Sequence, residues 1–378
     1  EKAEELIAYL KEEPPLEAKV LSKEKKKETK NPPLLYNLAE LQNDCSKMFK
    51  ISPDETLKVV QELYEKKLVT YPRTDARVLS TAVAKEIYKN INGLMRYEPM
   101  AGFAKEAMDL GSFKGIAKTR YVNDKQITDH YAIIPTGQGL NALSTVSSTA
   151  KGVYDLIVRR FLSIFYPPAV YQKVAIVTKI KEESFFSSFK VLAEEGYLKV
   201  AGMPKRKTAK TAAKDGGNAS NTVDDTNEEN GSDSADQSLD TGLFEVIKSL
   251  KKGAVLPVRA LDIKEGETSP PKRYNSGSMI LAMENAGQLI EDEELRAQIK
   301  GSGIGTSATR AEILKKLVNI KYLALNKKTQ VITPTLQGEM IYDVVDHSIR
   351  SLLNPELTAS WEKGLNYVAE GSITSDEY

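Results

Sequence analysis

Four pairs of adjacent prolines interrupt the chain, and the spacing of apolar residues changes at the last three. The first pair is Pro14-Pro15, and the other three are Pro32-Pro33, Pro167-Pro168 and Pro270-Pro271. Proline lacks a backbone N–H and disfavours helix in the residue before it, so each pair interrupts regular structure. Apolar residues follow helical spacing after Pro32-Pro33, alternate with polar residues after Pro167-Pro168, and return to helical spacing after Pro270-Pro271. The sequence therefore predicts two helical regions with a β-rich region between them.

The residues before Pro32-Pro33 predict one helix and one strand. Apolar spacing predicts the helix around residues 3–10 and the strand over residues 17–22. Residues 23–30 contain five lysines and two glutamates. We interpret this run as a solvated connection, with a contact to DNA as the alternative.

The first helical region contains a strong helix start upstream of Tyr71. Ser52 can cap the helix, Pro53 suits its first position, and Glu55 completes a capping box. The lysines at 66–67 would end this helix, so Tyr71 would follow directly after a rigid element. Further helices are predicted at about 80–91 and 151–165.

The β-rich region carries three predicted strands and a polar tract. Alternating residues predict strands at 174–180, 185–192 and 255–263. The tract, at about 203–240, is rich in Gly, Asn, Ser and Asp, and we expect a flexible, disordered insertion. Residues 215–240 of this tract contain no lysine or arginine, so the rest of the chain has a basic net charge. The eight carboxylates in this stretch are Asp215, Asp224, Asp225, Glu228, Glu229, Asp233, Asp236 and Asp240.

The last region is predicted to be helical with one hairpin. A helix is expected at 278–287, and Thr309 with Glu312 suggests a capping box for another. A hairpin over 322–333 follows, so this part resembles a winged-helix unit. Two more helices are predicted to start at 333–334 and 354–355.

Composition places the chain among globular proteins. It has 378 residues, of which 41% are apolar and 28% are charged, enough for two or three domains with cores. The single cysteine, Cys45, excludes an internal disulfide and a cysteine-cluster zinc site. We interpret it as a small buried or helix-facing residue, and its solitary presence fits a reducing cytoplasm. No apolar run reaches the length of a membrane span and the first residues do not form a signal peptide, so a soluble cytoplasmic protein is expected.

Tyr71, Arg73 and Asp75 combine three chemical functions within five residues. A tyrosine hydroxyl can act as a nucleophile, a guanidinium can bind a phosphate, and a carboxylate can orient the guanidinium. This set suits phosphoryl transfer to tyrosine. The alternative from spacing alone is a Tyr-Pro turn with a surface ion pair.

Two other stretches hold candidate site residues. His130 is one of two histidines, and neither has the spacing of a metal site, so we predict no metal ligands in this chain. Gly301 to Gly305 precede a helix and could seat a backbone phosphate with neighbouring side chains, although glycines there also simply make turns. No Walker lysine pattern is present, so ATP hydrolysis is not indicated. The candidate DNA contacts near these glycines are Thr306, Ser307, Thr309 and Arg310.

Three stretches in order resemble the signature motifs of type IA DNA topoisomerases. Residues 71–80 are YPRTDARVLS, residues 129–136 are DHYAIIPT, and residues 303–313 are GIGTSATRAEI. The proline after the tyrosine and the DHYAIIPT form resemble the topoisomerase III branch. The resemblance covers nearly the whole chain apart from about forty residues after Ala201.

The resemblance implies a multidomain α+β fold, part of the family's toroid. By this analogy residues 1–28 form the first pass of a β-rich arch, and residues 29–168 form the helical tyrosine domain. Residues 169–265 form the second arch pass with the insertion, and residues 266–378 form the helical, winged-helix-like groove domain. The family's N-terminal metal-binding (Toprim) domain is absent, so a fragment of a larger enzyme is expected.

The resemblance also implies an isomerase that breaks, passes and rejoins single-stranded DNA without ATP. Tyr71 would form a 5′-phosphotyrosine intermediate, Arg73 would neutralise the phosphate, His130 would assist or position the DNA, and Asp75 would orient Arg73. Arg77 is a further candidate DNA contact, and Ala76 replaces the family's usual serine. Mg²⁺ is expected on the Toprim domain, which would be the partner within the same polypeptide. The fragment alone is therefore expected to bind single strands without cleaving them.

Two other classes of protein remain open. The chain could be a non-catalytic single-strand binding or scaffold module. It could also be another tyrosine transesterase, but the additional arginines of a recombinase and the histidine pair of a relaxase are missing from the sequence.

Overall fold

The computed structural model describes residues 2–12, 14–127, 129–202, 241–289 and 303–378. The chain forms two compact units, one of Glu1–Pro32 with Pro167–Ser269 and one of Pro33–Tyr166 with Pro270–Tyr378. Each change of unit therefore falls at a proline pair. The mixed helix and sheet class is confirmed, while the finer division into four domain segments stays a prediction. The predicted insertion at about 203–240 lies outside the described residues.

The elements are numbered along the chain. The helices are α1 (Lys2–Lys11), α2 (Leu38–Phe49), α3 (Pro53–Glu65), α4 (Thr81–Leu94), α5 (Ala101–Leu110), α6 (Ser148–Ser163), α7 (Leu198–Ala201), α8 (Thr241–Ser249), α9 (Ser276–Glu284), α10 (Arg310–Asn319), α11 (Leu336–Ser348) and α12 (Pro355–Ala369). The strands are β1 (Glu17–Lys30), β2 (Ala169–Ile180), β3 (Glu183–Glu194), β4 (Val255–Pro257), β5 (Leu323–Leu325) and β6 (Ile332–Pro334). Within the described residues, no helix has the length and apolar character needed to cross a membrane.

The first unit is built on a four-stranded antiparallel sheet in the order β3-β2-β1-β4. Helix α8 contributes to the core on one face, where Val20, Val174, Ile176, Phe244 and Ile247 are buried together. Apolar burial of this kind is the main stabilising contribution to such a unit.

The interpretation of residues 23–30 as a solvated connection is wrong. They form the second half of β1 and pair with β2 from Lys23 opposite Ile176 to Lys30 opposite Ala169. The backbone of β2 supplies the hydrogen-bond partners, while the lysine side chains remain largely exposed. Lysine stems can lie along a sheet with their charged ends in water, so a lysine run does not prevent strand formation. The third predicted strand is also shorter than expected, because β4 pairs with β1 only as far as Glu17, the first residue of β1.

The second unit is mainly helical and contains the Tyr71 region. The predicted start of α3 is confirmed: the Ser52 hydroxyl accepts from the Glu55 N–H at 3.2 Å, and the Glu55 carboxylate accepts from the Ser52 N–H at 2.8 Å. Helices α2 and α9 approach closely at Gly277, where an added Cβ would lie 2.5 Å from the Asn43 Cα. Cys45 is fully buried in α2, as predicted.

The C-terminal half of this unit differs from the sequence prediction in two places. The side chain of Thr309 does not cap α10; its hydroxyl instead accepts from the Thr306 N–H at 2.9 Å. Helix α11 starts at Leu336 rather than at residues 333–334, because Thr335 caps it and the preceding residues belong to β6. The predicted hairpin is confirmed as β5 and β6, which pair antiparallel.

Candidate active site

The end of α3 places Tyr71 on a fixed stretch of chain. The helix ends at Glu65, and Lys67 adopts a left-handed conformation with φ of 62°. Leu68 then donates its N–H to the Leu63 carbonyl at 2.9 Å. Leu68 and Val69 are fully buried, so the chain is anchored immediately before the tyrosine.

Thr70 joins the tyrosine stretch to the DHYAIIPT stretch. Its N–H donates to the Ile134 carbonyl at 3.0 Å. Its hydroxyl donates to the Ala132 carbonyl at 3.1 Å and accepts from the Ile134 N–H at 2.9 Å. A bridge between Val69 and Pro135 continues this pairing. The two stretches, about sixty residues apart in sequence, therefore lie side by side.

Thr74 makes a second connection on the other side of Tyr71. The buried Thr74 hydroxyl donates to the His130 carbonyl at 2.9 Å and accepts from the Ala76 N–H at 3.1 Å. Its carbonyl accepts from the Leu38 N–H, at the start of α2, at 3.1 Å. Residues 71–73 thus lie between two threonines whose side chains are both bound to backbone.

The structure brings Tyr71 and His130 into ring contact. Their ring centroids are 4.2 Å apart with an interplanar angle of 40°. Tyr64, on the last turn of α3, packs its ring edge-on against Tyr71 at 5.5 Å and 84°. Tyr71 is half-buried and His130 is exposed, so the tyrosine remains within reach of a ligand.

Arg73 lies on the same short loop and is free to bind an anion. Its side chain is exposed, and it has no ion pair with any residue that the structure describes. An arginine left unpaired beside a half-buried tyrosine can bind a phosphate at little internal cost, because no existing ion pair must be broken.

Asp75 does not orient Arg73, and this part of the sequence prediction is wrong. The Asp75 Oδ1 atom accepts from the Arg310 Nη1 at 2.9 Å. Arg310 comes from the GIGTSATRAEI stretch, so the third motif contacts the first. Spacing along the chain suggested the nearest cation, whereas the partner lies 235 residues away in sequence.

Arg310 faces inward rather than towards a ligand. It is 5% exposed, and its guanidinium also donates to the Ile304 carbonyl at 3.2 Å and the Gly305 carbonyl at 3.0 Å. A role as a direct DNA contact therefore has no support in its geometry. Glu284 at the end of α9 has its Oε1 atom 3.8 Å from the Arg310 Nη1.

Sequence reasoning missed Glu284 and Asn37. The Asn37 amide, 1% exposed, donates to the Glu284 Oε1 at 2.7 Å and to the Asp75 carbonyl at 3.2 Å. Burial raises the pKa of the Glu284 carboxyl to about 7, although Arg310 acts in the opposite direction. The sequence does signal Asn37 as a cap residue before α2, but it carries no signal for the contact with Glu284.

The remaining candidate DNA contacts differ in their exposure and in the hydrogen bonds that they already form. Arg77 is bound to the Glu40 carboxylate at 2.5 Å and donates to the Leu35 carbonyl at 3.3 Å, so it also faces the protein. Thr306 and Thr309 are exposed but bonded to each other, and Ser307 is half-buried between them. The roles of these residues as DNA contacts stay predictions.

Comparisons with known proteins agree with the motifs. A family model described as DNA topoisomerase matches residues 1–378. DNA topoisomerase 3 of Bacillus subtilis is 36% identical over 349 residues, 91% of this chain and 42% of that protein. DNA topoisomerase 3 of Bacillus licheniformis is 35% identical over 350 residues, 92% of this chain and 43% of that protein. The chain thus spans less than half the length of these curated relatives.

A solved structure shows the same fold. The full-length topoisomerase I from Thermotoga maritima superposes with a TM-score of 0.63 and 22% sequence identity. The match covers 98% of this chain and 52% of that one. At this identity the likeness concerns the fold alone.

Proposed function

Because the chain belongs to the type IA DNA topoisomerase family, we propose that it carries the strand-breaking tyrosine of such an enzyme. The observation that supports this most directly is the placement of Tyr71. Its ring centroid lies 4.2 Å from that of His130, on a loop bounded by Thr70 and Thr74. Arg73, two residues away on the same loop, is exposed and has no ion pair among the described residues. These features support a nucleophile in contact with a second polar ring and a phosphate-binding cation on the same loop.

The proposed reaction is a transesterification of single-stranded DNA. The Tyr71 Oη atom attacks a backbone phosphorus, an Oη–P bond forms as the P–O3′ bond breaks, and a 3′-hydroxyl is released. The tyrosine loses its proton and the departing 3′-oxygen gains one. Because a phosphodiester replaces a phosphodiester, the reverse attack by the 3′-hydroxyl rejoins the strand, and ATP is not consumed.

Arg73 and His130 have distinct roles in this proposal. Arg73 neutralises the charge that develops on the scissile phosphate, which is the interaction of greatest value in the transition state. His130, in ring contact with Tyr71, contacts the phosphate or positions the adjacent nucleotide. Asp75 acts elsewhere, because its carboxylate is bound to Arg310.

Magnesium is the metal that the family resemblance implies, and the described residues do not fit a site for it. Within them, no group of three or more His, Cys, Asp or Glu side chains is placed to hold a metal ion. The carboxylate nearest in sequence to Tyr71, Asp75, is paired with Arg310. We therefore derive no step through a metal in this chain. We propose that Mg²⁺ and the acidic groups are supplied by a Toprim domain of the whole protein.

We also propose that the chain alone binds single-stranded DNA without cleaving it, and that the enzyme works in the cytoplasm. The buried, unpaired Cys45 is compatible with a reducing compartment.

Covalent trapping tests the proposed function. The chain is incubated with Mg²⁺ and a 3′-labelled single-stranded oligonucleotide, with and without a separately produced Toprim segment. We expect a denaturation-resistant adduct only when that segment is present, and its loss in Tyr71→Phe but not in the neighbouring control Tyr64→Phe. An adduct that persists in Tyr71→Phe would overturn the proposal. DNA binding without any adduct would favour the non-catalytic single-strand binding module.

A further inference from the structure

The loop that carries Tyr71 forms an ion pair with a buried arginine from a distant part of the same unit. Asp75 lies four residues after Tyr71, and its side chain is 52% exposed. Arg310 opens α10 and has a side chain that is 6% exposed. The pair therefore connects the accessible tyrosine loop to the interior of the unit.

The orientation of the Arg310 guanidinium is set by hydrogen bonds other than the one to Asp75. Its Nε donates to the Ile304 carbonyl at 3.2 Å and its Nη2 to the Gly305 carbonyl at 3.0 Å. Two bonds to backbone set the plane of the guanidinium, which leaves Nη1 directed at the Asp75 carboxylate at 2.9 Å. A lysine has the same charge but lacks this planar set of donors, so it cannot reproduce the arrangement.

Glu284 and Asn37 hold the backbone of the same loop. The single Asn37 side-chain nitrogen donates both to the Asp75 carbonyl and to the Glu284 carboxylate. Glu284 also lies 3.8 Å from the Nη1 atom that binds Asp75. Glu284 thus acts on the loop by two opposed routes: it binds Asn37, which holds the Asp75 backbone, and its ionised carboxylate competes with Asp75 for the Arg310 Nη1 atom.

We propose that Arg310 is a positioning residue that holds the Tyr71–Asp75 loop in its reactive geometry through Asp75, and that Glu284 sets the strength of this hold through Arg310 and Asn37. Neither residue touches the reacting atoms. The proposal rests on the proposed function of Tyr71, and it replaces the sequence-based role of Arg310 as a DNA contact.

The charges around Glu284 make this hold dependent on pH. The groups that face it are the cations Arg310 and Arg77 and the carboxylates Asp75 and Glu40. When Glu284 is ionised, it competes with Asp75 for the same Nη1 atom and repels the Asp75 carboxylate. When Glu284 is protonated, the guanidinium is left to Asp75. The loop should therefore be held more firmly below neutral pH than above it, and burial places this change near pH 7 by raising the Glu284 pKa to about 7.

Hydrogen exchange of the purified chain tests the hold directly. Exchange of the peptide covering residues 70–77 is measured at about pH 6 and pH 8 and corrected for the intrinsic dependence on pH. We expect Arg310→Lys and Asp75→Asn to speed exchange about tenfold relative to wild type and to the control Lys315→Gln on the same helix. We expect Glu284→Gln to abolish the difference between the two pH values. Exchange equal to that of the control, or a pH difference retained in Glu284→Gln, would overturn the proposal.

A second measurement separates positioning from DNA contact. With the Toprim segment added, Arg310→Lys should lower the rate of adduct formation at saturating oligonucleotide while leaving oligonucleotide affinity within about twofold. A loss of affinity with an unchanged rate at saturation would overturn the proposal in favour of a direct DNA contact. If wild type forms no adduct, the proposed function fails, but the exchange experiment still decides the role of the pair. Asp75→Asn, at a half-exposed position, serves the same test if the change at the buried arginine prevents folding.

Discussion

At the scale of single residues, the site depends on side chains that bind backbone. Thr70 is the clearest case, because one hydroxyl both donates to the Ala132 carbonyl and accepts from the Ile134 N–H. Serine keeps this hydroxyl, whereas valine has nearly the same shape and cannot form either bond. The two substitutions therefore separate hydrogen bonding from packing.

We expect Thr70→Val to lower the free energy of unfolding by about 1–3 kcal/mol, because a polar backbone group would lose its partner. Thr70→Ser should cost less than about 1 kcal/mol, because only a methyl group is removed. Urea unfolding followed by circular dichroism measures both. Equal losses in the two variants would mean that packing, rather than the hydroxyl, holds the two stretches together.

Replacement of Arg73, in contrast to Thr70, should affect activity rather than stability. It is exposed and has no ion pair among the described residues, so its removal should leave stability within about 0.5 kcal/mol. Loss of a group that stabilises transition-state charge should lower adduct formation roughly 10²-fold to 10³-fold. The trapping assay with the Toprim segment measures this for Arg73→Ala. An unchanged rate would exclude Arg73 from the reaction.

Sequence reasoning identified Tyr71, Arg73 and His130 as one group, and the structure places Tyr71 and His130 in contact. It paired Asp75 with the wrong arginine because ion pairs were inferred from proximity along the chain. The true partner, Arg310, becomes visible only when α10 is packed against the tyrosine loop. Glu284 had no local signal at all, since nothing in its immediate sequence distinguishes it from a surface glutamate.

At the scale of elements, α3 determines where the tyrosine loop begins. Its start was predictable because the capping box is a local pattern, and both of its hydrogen bonds are present. The strand β1 was only half predicted, because its lysine-rich half gains its partners from β2, more than a hundred residues later. Local patterns thus predicted helix ends better than strand lengths.

We expect Ser52→Ala to lower the free energy of unfolding by about 1 kcal/mol through loss of the α3 cap. Ser52→Thr should retain most of that stability, since threonine can cap in the same way. Because α3 leads directly to Tyr71, hydrogen exchange of residues 66–70 should also increase in the alanine variant. Equal stability of Ser52→Ala and Ser52→Thr in urea would contradict a role for the cap.

At the scale of the whole molecule, the last three proline pairs predicted where the chain changes unit, because they interrupt regular structure and the spacing of apolar residues changes at each. The pair Pro14-Pro15 lies within the first unit. The proline pairs could not predict which segments of the chain fold together into one unit. That the first thirty residues share a sheet with residues beyond Pro168 depends on pairing between β1 and β2, which no local pattern encodes. The same limit applies to the buried network of Glu284, Arg310 and Asn37, which draws on three separate parts of the chain.

This network should also govern how the stability of the protein depends on pH. The Glu284 pKa is about 7 in the folded protein, raised by burial from the ordinary glutamate value of 4.5. Between those values the folded state binds the proton more tightly than the unfolded state does, so protonation of Glu284 stabilises the fold. This stabilisation is fully present below the unfolded pKa and is lost as the pH rises through 7.

At about 1.4 kcal/mol per pH unit of difference, the loss for Glu284 amounts to roughly 3 kcal/mol at most. We expect the urea midpoint of wild type to fall between about pH 5 and pH 8, and Glu284→Gln to show a clearly smaller fall. The exposed carboxylate Glu339 provides a control, because Glu339→Gln should retain the wild-type dependence. If Glu284→Gln instead followed the wild-type curve, Glu284 would be ionised across this range. The competition between Glu284 and Asp75 for Arg310 would then not change with pH. The proposed pH dependence of the hold on the Tyr71 loop would be wrong.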